Sequence, residues 1–272
     1  MSKRVRGSPV DVSIGIIGGS GLYQLFEAGQ SELAVVETPY GQVPLTFGEL
    51  DGTPVAFLPR HGSDHSVAPQ LINYRANIWA LASVGVRAII SSAAVGSVHP
   101  DYPMGSLVVV DQYLDRTHGR SDTFYDQRSV QHLASADPFC PTLHEVAARQ
   151  LGGDAIHGGT VAVIQGPRFS TRAESQWFRA SGAHLVNMTL YPEVPLASEL
   201  GIGTVALAYV TDNDSSAGEP LSADIVFRRL KAAQPSIINS ISEIAGAVRP
   251  DYEPIQLIDP VAVAEVLNRR VP

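Results

Sequence analysis

Short apolar runs recur along the chain at residues 12–17, 54–58, 86–90, 106–110, 159–164, 185–188 and 205–210. Each has the length of a strand, and 205–210 is an almost unbroken apolar run. Such a run marks a strand covered on both faces of a parallel or mixed sheet. Between the runs, apolar residues return at helical spacing over 73–84, 142–151, 171–181, 189–199 and 222–247. These predict helices, the first with a buried Trp79 and the last broken near Pro235. A short apolar helix is expected at 261–267. Residues 48–58 read as a hairpin turning at Asp51-Gly52, and residues 38–41 as a turn. Residues 115–125 and 127–141 read as loops, long enough to be functional or interfacial. The pattern predicts an α/β fold with a mixed, twisted central sheet flanked by helices. No repeat or linker-like stretch divides 12–272, which reads as one domain behind a flexible tail at 1–11.

Composition narrows the class. The 272 residues are 44% hydrophobic and 17% charged, ample for a packed core. Lys plus Arg is 19 and Asp plus Glu is 27, giving 19 − 27 = −8 with His neutral. An acidic chain without a basic block is a poor partner for nucleic acid. It must gather its cations locally to hold an anion. The single cysteine, Cys140, excludes an internal disulfide framework and reads as a small buried hydrophobe. The first eleven residues lack the apolar core of a signal peptide, and no window is long enough to span a bilayer. A soluble, cytoplasmic protein is expected.

Four places carry candidate chemistry. The run 205–210 stops at Thr211 and is followed by Asp212, Asn213 and Asp214, two carboxylates outside the carboxyl end of a buried strand. Open α/β sheets bind ligands there, and desolvation raises a carboxyl pKa toward proton donation. The same residues also read as a polar turn that caps the next helix. The first strand runs into Gly18-Gly19-Ser20-Gly21, which suits either a tight turn or an anion cradle, with Ser20 as a further donor. The third glycine of the dinucleotide fingerprint is missing, as is a P-loop lysine. Residues 54–58 deliver Pro59-Arg60-His61-Gly62, a local cationic niche, with His65 behind it. A metal at His61 and His65 lacks a third ligand at useful spacing. Phe169, after Gly166-Pro167 and before a helix, reads as a stacking platform or as a core phenylalanine.

Seven separated motifs occur in order: Gly18-Gly19-Ser20-Gly21-Leu22; Arg60-His61-Gly62 with His65; Asn73-Tyr74-Arg75-Ala76-Asn77; Val95-Gly96-Ser97; Gly166-Pro167-Arg168-Phe169-Ser170; Asn187-Met188-Thr189 with Pro192-Glu193; and Thr211-Asp212-x-Asp214. The ordered set resembles the purine nucleoside phosphorylase superfamily, specifically its 5′-methylthioadenosine phosphorylases. The resemblance implies that Ser20, Arg60, His61, Thr189 and the Ala94 backbone N–H hold phosphate. Met188 would pack on the ribose and Phe169 along the purine, with Asp212 and Asp214 facing N7 and the 6-amino edge. It implies reversible phosphorolysis with Asp212 and Asp214 as the catalytic pair, inorganic phosphate as co-substrate, and no metal or organic cofactor. It further implies a homotrimer in which Ala223, Val226 and Phe227 line an apolar 5′-pocket completed by His132 of the neighbouring subunit. Residues 248–272 are a candidate interfacial segment.

Two departures stand out. Ala93 replaces a phosphate-binding threonine, a loss of about 1–2 kcal/mol offset by Ser92 or water. Phe227 is bulkier than the usual aliphatic residue. The leading expectation is phosphorolysis of 5′-methylthioadenosine or a close 5′-deoxy-5′-substituted adenosine. Its alternatives are a phosphorylase preferring 6-oxopurine nucleosides such as methylthioinosine, suggested by Asn213, and a non-catalytic ligand-binding protein on the same scaffold. A hydrolase would leave Arg60 and His61 without an anion, and a nicotinamide enzyme would lack its third glycine.

Overall fold

The computed structural model describes residues 12–27, 29–127, 129–213 and 222–271. The tail at 1–11 and Asp214 lie outside the described residues. Among the described residues eleven strands form one sheet: β1 (Ile14–Gly18), β2 (Ser31–Thr38), β3 (Gly41–Leu50), β4 (Thr53–Pro59), β5 (Ala88–Ser97), β6 (Leu107–Val110), β7 (Gln112–Arg116), β8 (Ile156–His157), β9 (Thr160–Ile164), β10 (Leu185–Asn187) and β11 (Gly203–Asn213). Among the described residues six α-helices accompany them: α1 (Tyr74–Ser83), α2 (Pro141–Leu151), α3 (Arg172–Ala180), α4 (Leu190–Glu199), α5 (Ala223–Ala247) and α6 (Pro260–Leu267).

The main path through the sheet is β2-β3-β4-β1-β5-β10-β9-β7, and β11 branches from β5 to β6 and β8. Central strands are apolar on both sides because both sides are covered. In β1, Ile14 and Ile16 point into one core with α2 and α5, while Ile17 points into the other with α1, α4 and α6. The period-two alternation thus sorts side chains between two cores rather than between core and water.

The strand that positions the site is β5. Along one edge it pairs with β11 from Ala88 to Ser97. The other edge is shared: β1 runs parallel as far as the Ile17–Ser91 pair, and β10 begins antiparallel at the Val186–Gly96 pair. Residues 92–95 therefore have no strand on that edge. A gap in the ladder opens in the middle of the sheet, where strand direction reverses, the place open α/β sheets offer to ligands.

Several expectations need correction. The strand expected at 86–90 starts at Ala88 and runs on to Ser97, so the small residues 91–97 form its second half. Residues 115–116 belong to β7 rather than a loop, and β3 starts at Gly41 instead of Gly48. Helix α5 runs unbroken through Pro235. Pro235 costs one helix hydrogen bond, but Leu230, Ala233, Ile237 and Ile241 are buried on both sides of it and keep the two halves in line. At α3 the cap is Thr171, in a capping box with Glu174. Cys140 is half-buried with its thiol 3.2 Å from the Tyr252 hydroxyl, not enclosed as a core hydrophobe. The terminal segment folds back on its own chain: the buried Trp79 indole donates to the Val266 carbonyl at 3.1 Å, and Arg269 donates to Phe124 and Tyr40. No helix among the described residues is long and apolar enough to cross a membrane.

Candidate active site

A cavity of about 370 Å³ occupies the gap beside β5, a volume suited to a small organic ligand. Ser20, Arg60, His61, Ala94 and Thr189 line one part of it, and Asp212 lines another. The cationic niche from the first half of the chain and the carboxylate from the second thus open onto the same space.

Arg60 is only 3% exposed, so its charge needs company. Glu193 on α4 supplies it, accepting from Nε at 2.5 Å and Nη2 at 2.7 Å. Nη2 also donates to Ser91 Oγ at 2.7 Å, and Nη1 to the Ser92 carbonyl at 3.0 Å. Burial alone would lower the Arg60 pKa; the Glu193 charge and hydrogen bonds raise it above the ordinary value. Three of its donors face Glu193 or Ser91, and the fork is fixed in direction before any ligand arrives. The glycine turn sits directly against it. A Cβ on Gly19 would lie 2.5 Å from the Ser92 carbonyl oxygen and 3.0 Å from Arg60 Nη1, so only glycine permits this approach. Ser92 Oγ accepts from the Gly19 N–H at 3.1 Å and is not on the cavity wall. Its hydroxyl tethers the turn and does not stand in for the missing group at Ala93, which does line the cavity.

His61 Nδ1 is 2.8 Å from the Val67 carbonyl, so this nitrogen carries a proton and donates. Burial, then the Arg60 charge, press the ring's pKa down to about 4 against the pull of that hydrogen bond. The ring is neutral at pH 7 and its Nε2 is an acceptor, not a second cation. His65 lies with its ring centroid 4.7 Å from that of His61. Among the described residues no group of three His, Cys, Asp or Glu is placed to hold a metal.

The Ala94 carbonyl accepts from Asn187 Nδ2 at 3.2 Å across the gap. In a strand, a residue's N–H and C=O leave on the same side, so the Ala94 N–H faces the gap too. Asn187 Oδ1 accepts from the backbone of Thr189 at 2.6 Å and Leu190 at 2.9 Å, just ahead of the non-helical Tyr191 and Pro192 that open α4. These bonds close a tight local turn that places Thr189 at the cavity wall.

On the acidic side, β11 does not stop at Thr211. Its pairing with β5 slips between Val210 and Asp212, making Thr211 the extra residue of a bulge. Thr211 Oγ1 lies 3.2 Å from the Val95 carbonyl and 2.6 Å from Asp212 Oδ1, while Arg229 donates to the Thr211 carbonyl at 2.7 Å. A bulge re-aims a side chain at a site, and here it delivers Asp212, 8% exposed, to the cavity. The turn expected at Asp212 is therefore a continuation of the strand. Asn213 is exposed and off the cavity wall.

Phe169 is 40% exposed with its ring on the cavity wall, so it is not a core residue. Met188 lines the adjoining wall, its sulfur against Gly166, whose φ is +64°. Ala223, Val226 and Phe227 from the start of α5 close another side, with Phe227 edge-on to His65 at 5.0 Å. His132 is exposed in the loop before α2 and does not line this cavity. Sequence reasoning missed Glu193 as the partner of Arg60, Asn187 as the acceptor that closes the turn at Thr189 and Leu190, and the bulged Thr211. Each lies inside a motif, but none is distinguished by residue type from an ordinary polar surface position.

A family model described as the phosphorylase superfamily matches residues 13–246, most of the chain and all of the described cavity residues. The chain belongs to the phosphorylase superfamily. Among its superfamily relatives, the S-methyl-5′-thioadenosine phosphorylase of Mycolicibacterium smegmatis is 50% identical over 240 residues, covering 86% of this chain and 91% of the relative. The enzyme of the same name from Thermococcus kodakarensis is 48% identical over 220 residues, covering 79% of this chain and 84% of the relative. Of solved phosphorylase structures, a methylthioadenosine phosphorylase from an Antarctic soil metagenomic library superposes with a TM-score of 0.84 at 36% identity, covering 94% of this chain and 97% of that one. The methylthioadenosine phosphorylase of Schistosoma mansoni in complex with adenine gives 0.81 at 33% identity, covering 94% and 96%.

Proposed function

We propose that this chain catalyses the reversible phosphorolysis of 5′-methylthioadenosine, or a close 5′-deoxy-5′-substituted adenosine, to adenine and the corresponding ribose 1-phosphate. The observation that carries the reading is the opening of Arg60 and Asp212 onto one cavity beside β5. The names of the bacterial and archaeal relatives support it, as do the Schistosoma mansoni enzyme's complexes with adenine and with methylthioadenosine.

Phosphate sits against Ser20, Arg60, His61, Thr189 and the Ala94 N–H. Since His61 is neutral with its Nδ1–H given to Val67, its Nε2 accepts the hydroxyl of the hydrogen phosphate dianion. A phosphate oxygen attacks C1′ as the C1′–N9 bond breaks, and the bonding pair moves onto the purine. The dianion also stabilises the positive charge that develops on the ribosyl group. Asp212, steadied by Thr211, holds or gives the proton at N7, so adenine leaves neutral. Phe169 and Met188 cover the base and the sugar. Asp214 takes the amino edge of adenine. Asn213 is exposed and off the cavity wall, which counts against a preference for 6-oxopurines. Ala223, Val226 and Phe227 form the 5′-pocket, and an unpaired 5′-hydroxyl buried there would be penalised. In this reading the protein is a cytoplasmic homotrimer, His132 reaches the neighbouring protomer's pocket, and no metal or organic cofactor takes part.

The test is to incubate the protein with methylthioadenosine, with and without phosphate, and measure free adenine. Release only with phosphate is expected. Release without phosphate would indicate a hydrolase, and binding without release a retired scaffold.

A further inference from the structure

Arg120 lies in the loop after β7, half-buried and away from the cavity wall, and it has no carboxylate within ion-pair distance among the described residues. Its guanidinium is instead surrounded by neutral oxygens. Nη1 donates to the carbonyls of Tyr191 at 2.5 Å and Met188 at 3.0 Å, and lies 3.3 Å from the Tyr74 hydroxyl. Nη2 donates to the Gln165 carbonyl at 2.9 Å, and Nε to the Gln165 side chain at 3.3 Å. Burial draws its pKa below the ordinary arginine value, outweighing the opposing pull of Tyr74 and of the more distant Asp115 carboxylate.

The acceptors belong to three segments, each making a different wall of the cavity. Gln165 immediately precedes the turn that carries Pro167 and Phe169. Met188 is itself a wall residue, next to Thr189, and Tyr191 leads into Glu193, the partner of Arg60. The Tyr74 hydroxyl donates to the Pro69 carbonyl at 2.9 Å, and Pro69 lines the third wall. These segments lie as far apart as Pro69 and Tyr191 in sequence, and β10 and β9 pair only as far as Val163 and Asn187. Beyond those residues the sheet no longer sets the spacing.

We infer that Arg120 is a positioning residue for this active site, a single planar cation that fixes the base-side loop, the sugar-side loop and the Pro69 wall at one mutual distance. Arginine suits this because its donors diverge in one plane, whereas an ammonium presents three donors at one point. The inference rests on the proposed phosphorolysis. Misplacing a reacting centre by about 1 Å costs on the order of 100-fold in rate, which sets the scale of the effect.

The experiment compares wild type, Arg120→Ala and Arg120→Lys in steady-state phosphorolysis of methylthioadenosine. It includes a thermal melt of each, and ethylguanidinium or ethylammonium added at millimolar concentration. For Arg120→Ala the expected result is a kcat lower by roughly 10- to 100-fold, a phosphate KM within threefold of wild type, and recovery of at least tenfold with ethylguanidinium but not with ethylammonium. Arg120→Lys, which keeps the charge, is expected to fall at least tenfold; should the alanine variant not fold, this variant decides. Wild-type kcat in either variant overturns the inference. So does a loss that matches the unfolded fraction and is not rescued. If wild type itself releases no adenine, the functional reading fails, and adenine affinity measured by calorimetry then decides about Arg120: equal affinity in wild type and variant overturns the clamp.

Discussion

Replacing Glu193 by Gln tests how the cationic niche is built. In the native protein Glu193 gives Arg60 two carboxylate oxygens, at 2.5 Å and 2.7 Å, and accepts from Ser91 Oγ at 2.7 Å, with Arg60 and Glu193 both buried. Glutamine keeps one acceptor. Its amide nitrogen sets donor against donor at Arg60 Nε or Nη2, and the guanidinium loses its countercharge. Breaking a buried pair from one side costs about 3–5 kcal/mol, so the unfolding free energy from urea titration should fall by that amount at pH 7, with the midpoint lowered by that loss divided by m. The second half of the prediction is more specific. Phosphate brings negative charge to the same guanidinium, so it should stabilise the variant more than it stabilises wild type. Each tenfold tightening of phosphate adds about 1.4 kcal/mol to the ligand-linked stability. The assay is urea unfolding at fixed protein concentration, with and without saturating phosphate, for both proteins. A loss below about 1 kcal/mol, or an equal phosphate increment in the two, would refute the idea that Glu193 balances a buried charge at an anion site.

Asp212→Asn should lower kcat on methylthioadenosine by about 10²–10⁴ and move the ratio of adenine to hypoxanthine release toward hypoxanthine; parallel assays with methylthioadenosine and methylthioinosine check this. His61 is held near a pKa of about 4 against an ordinary 6.5. The unfolded chain therefore binds the proton first as pH falls, and stability is lost from about pH 6.5 downward. Between pH 7 and pH 5 the loss from this ring is about 2 kcal/mol, and His61→Gln should remove that part of the slope in urea titrations at the two pH values. Phe227→Leu removes the ring edge against His65 and enlarges the 5′-pocket, so kcat/KM for longer 5′-alkylthio substrates should rise relative to methylthioadenosine. An unchanged ratio would place the 5′-substituent elsewhere.

The parts of the fold legible in the sequence are those with the heaviest burial. The run from Val205 to Val210 and the cores of β1 and β5 announce themselves because covering both faces demands apolar residues at consecutive positions. Arg60 and His61 were legible because an adjacent Arg-His pair at a strand end is conspicuous in an acidic chain, although only Arg60 carries charge there. What escaped is set by geometry that residue type does not encode. Strands β2 and β7 lie at sheet edges, half exposed, and lack clean alternation. The slip at Thr211 is a matter of register against β5, and nothing in Val210-Thr211-Asp212 shows where the partner strand stands. Glu193 follows Pro192 at the start of a helix, where a carboxylate is commonplace; only the fold shows that it is buried against Arg60. The break expected at Pro235 failed because tertiary packing outweighed a local preference.

The gap along β5 has an architectural consequence. Two neighbours of opposite polarity share one edge, and neither can extend without colliding with the other, so the interruption follows from connectivity rather than from any particular side chain. Residues around it can be exchanged for others, and with them the chemistry, while the opening itself endures. A fold of this kind carries its receptacle as a property of how its strands are threaded, and new specificities can arise there without the core being rebuilt.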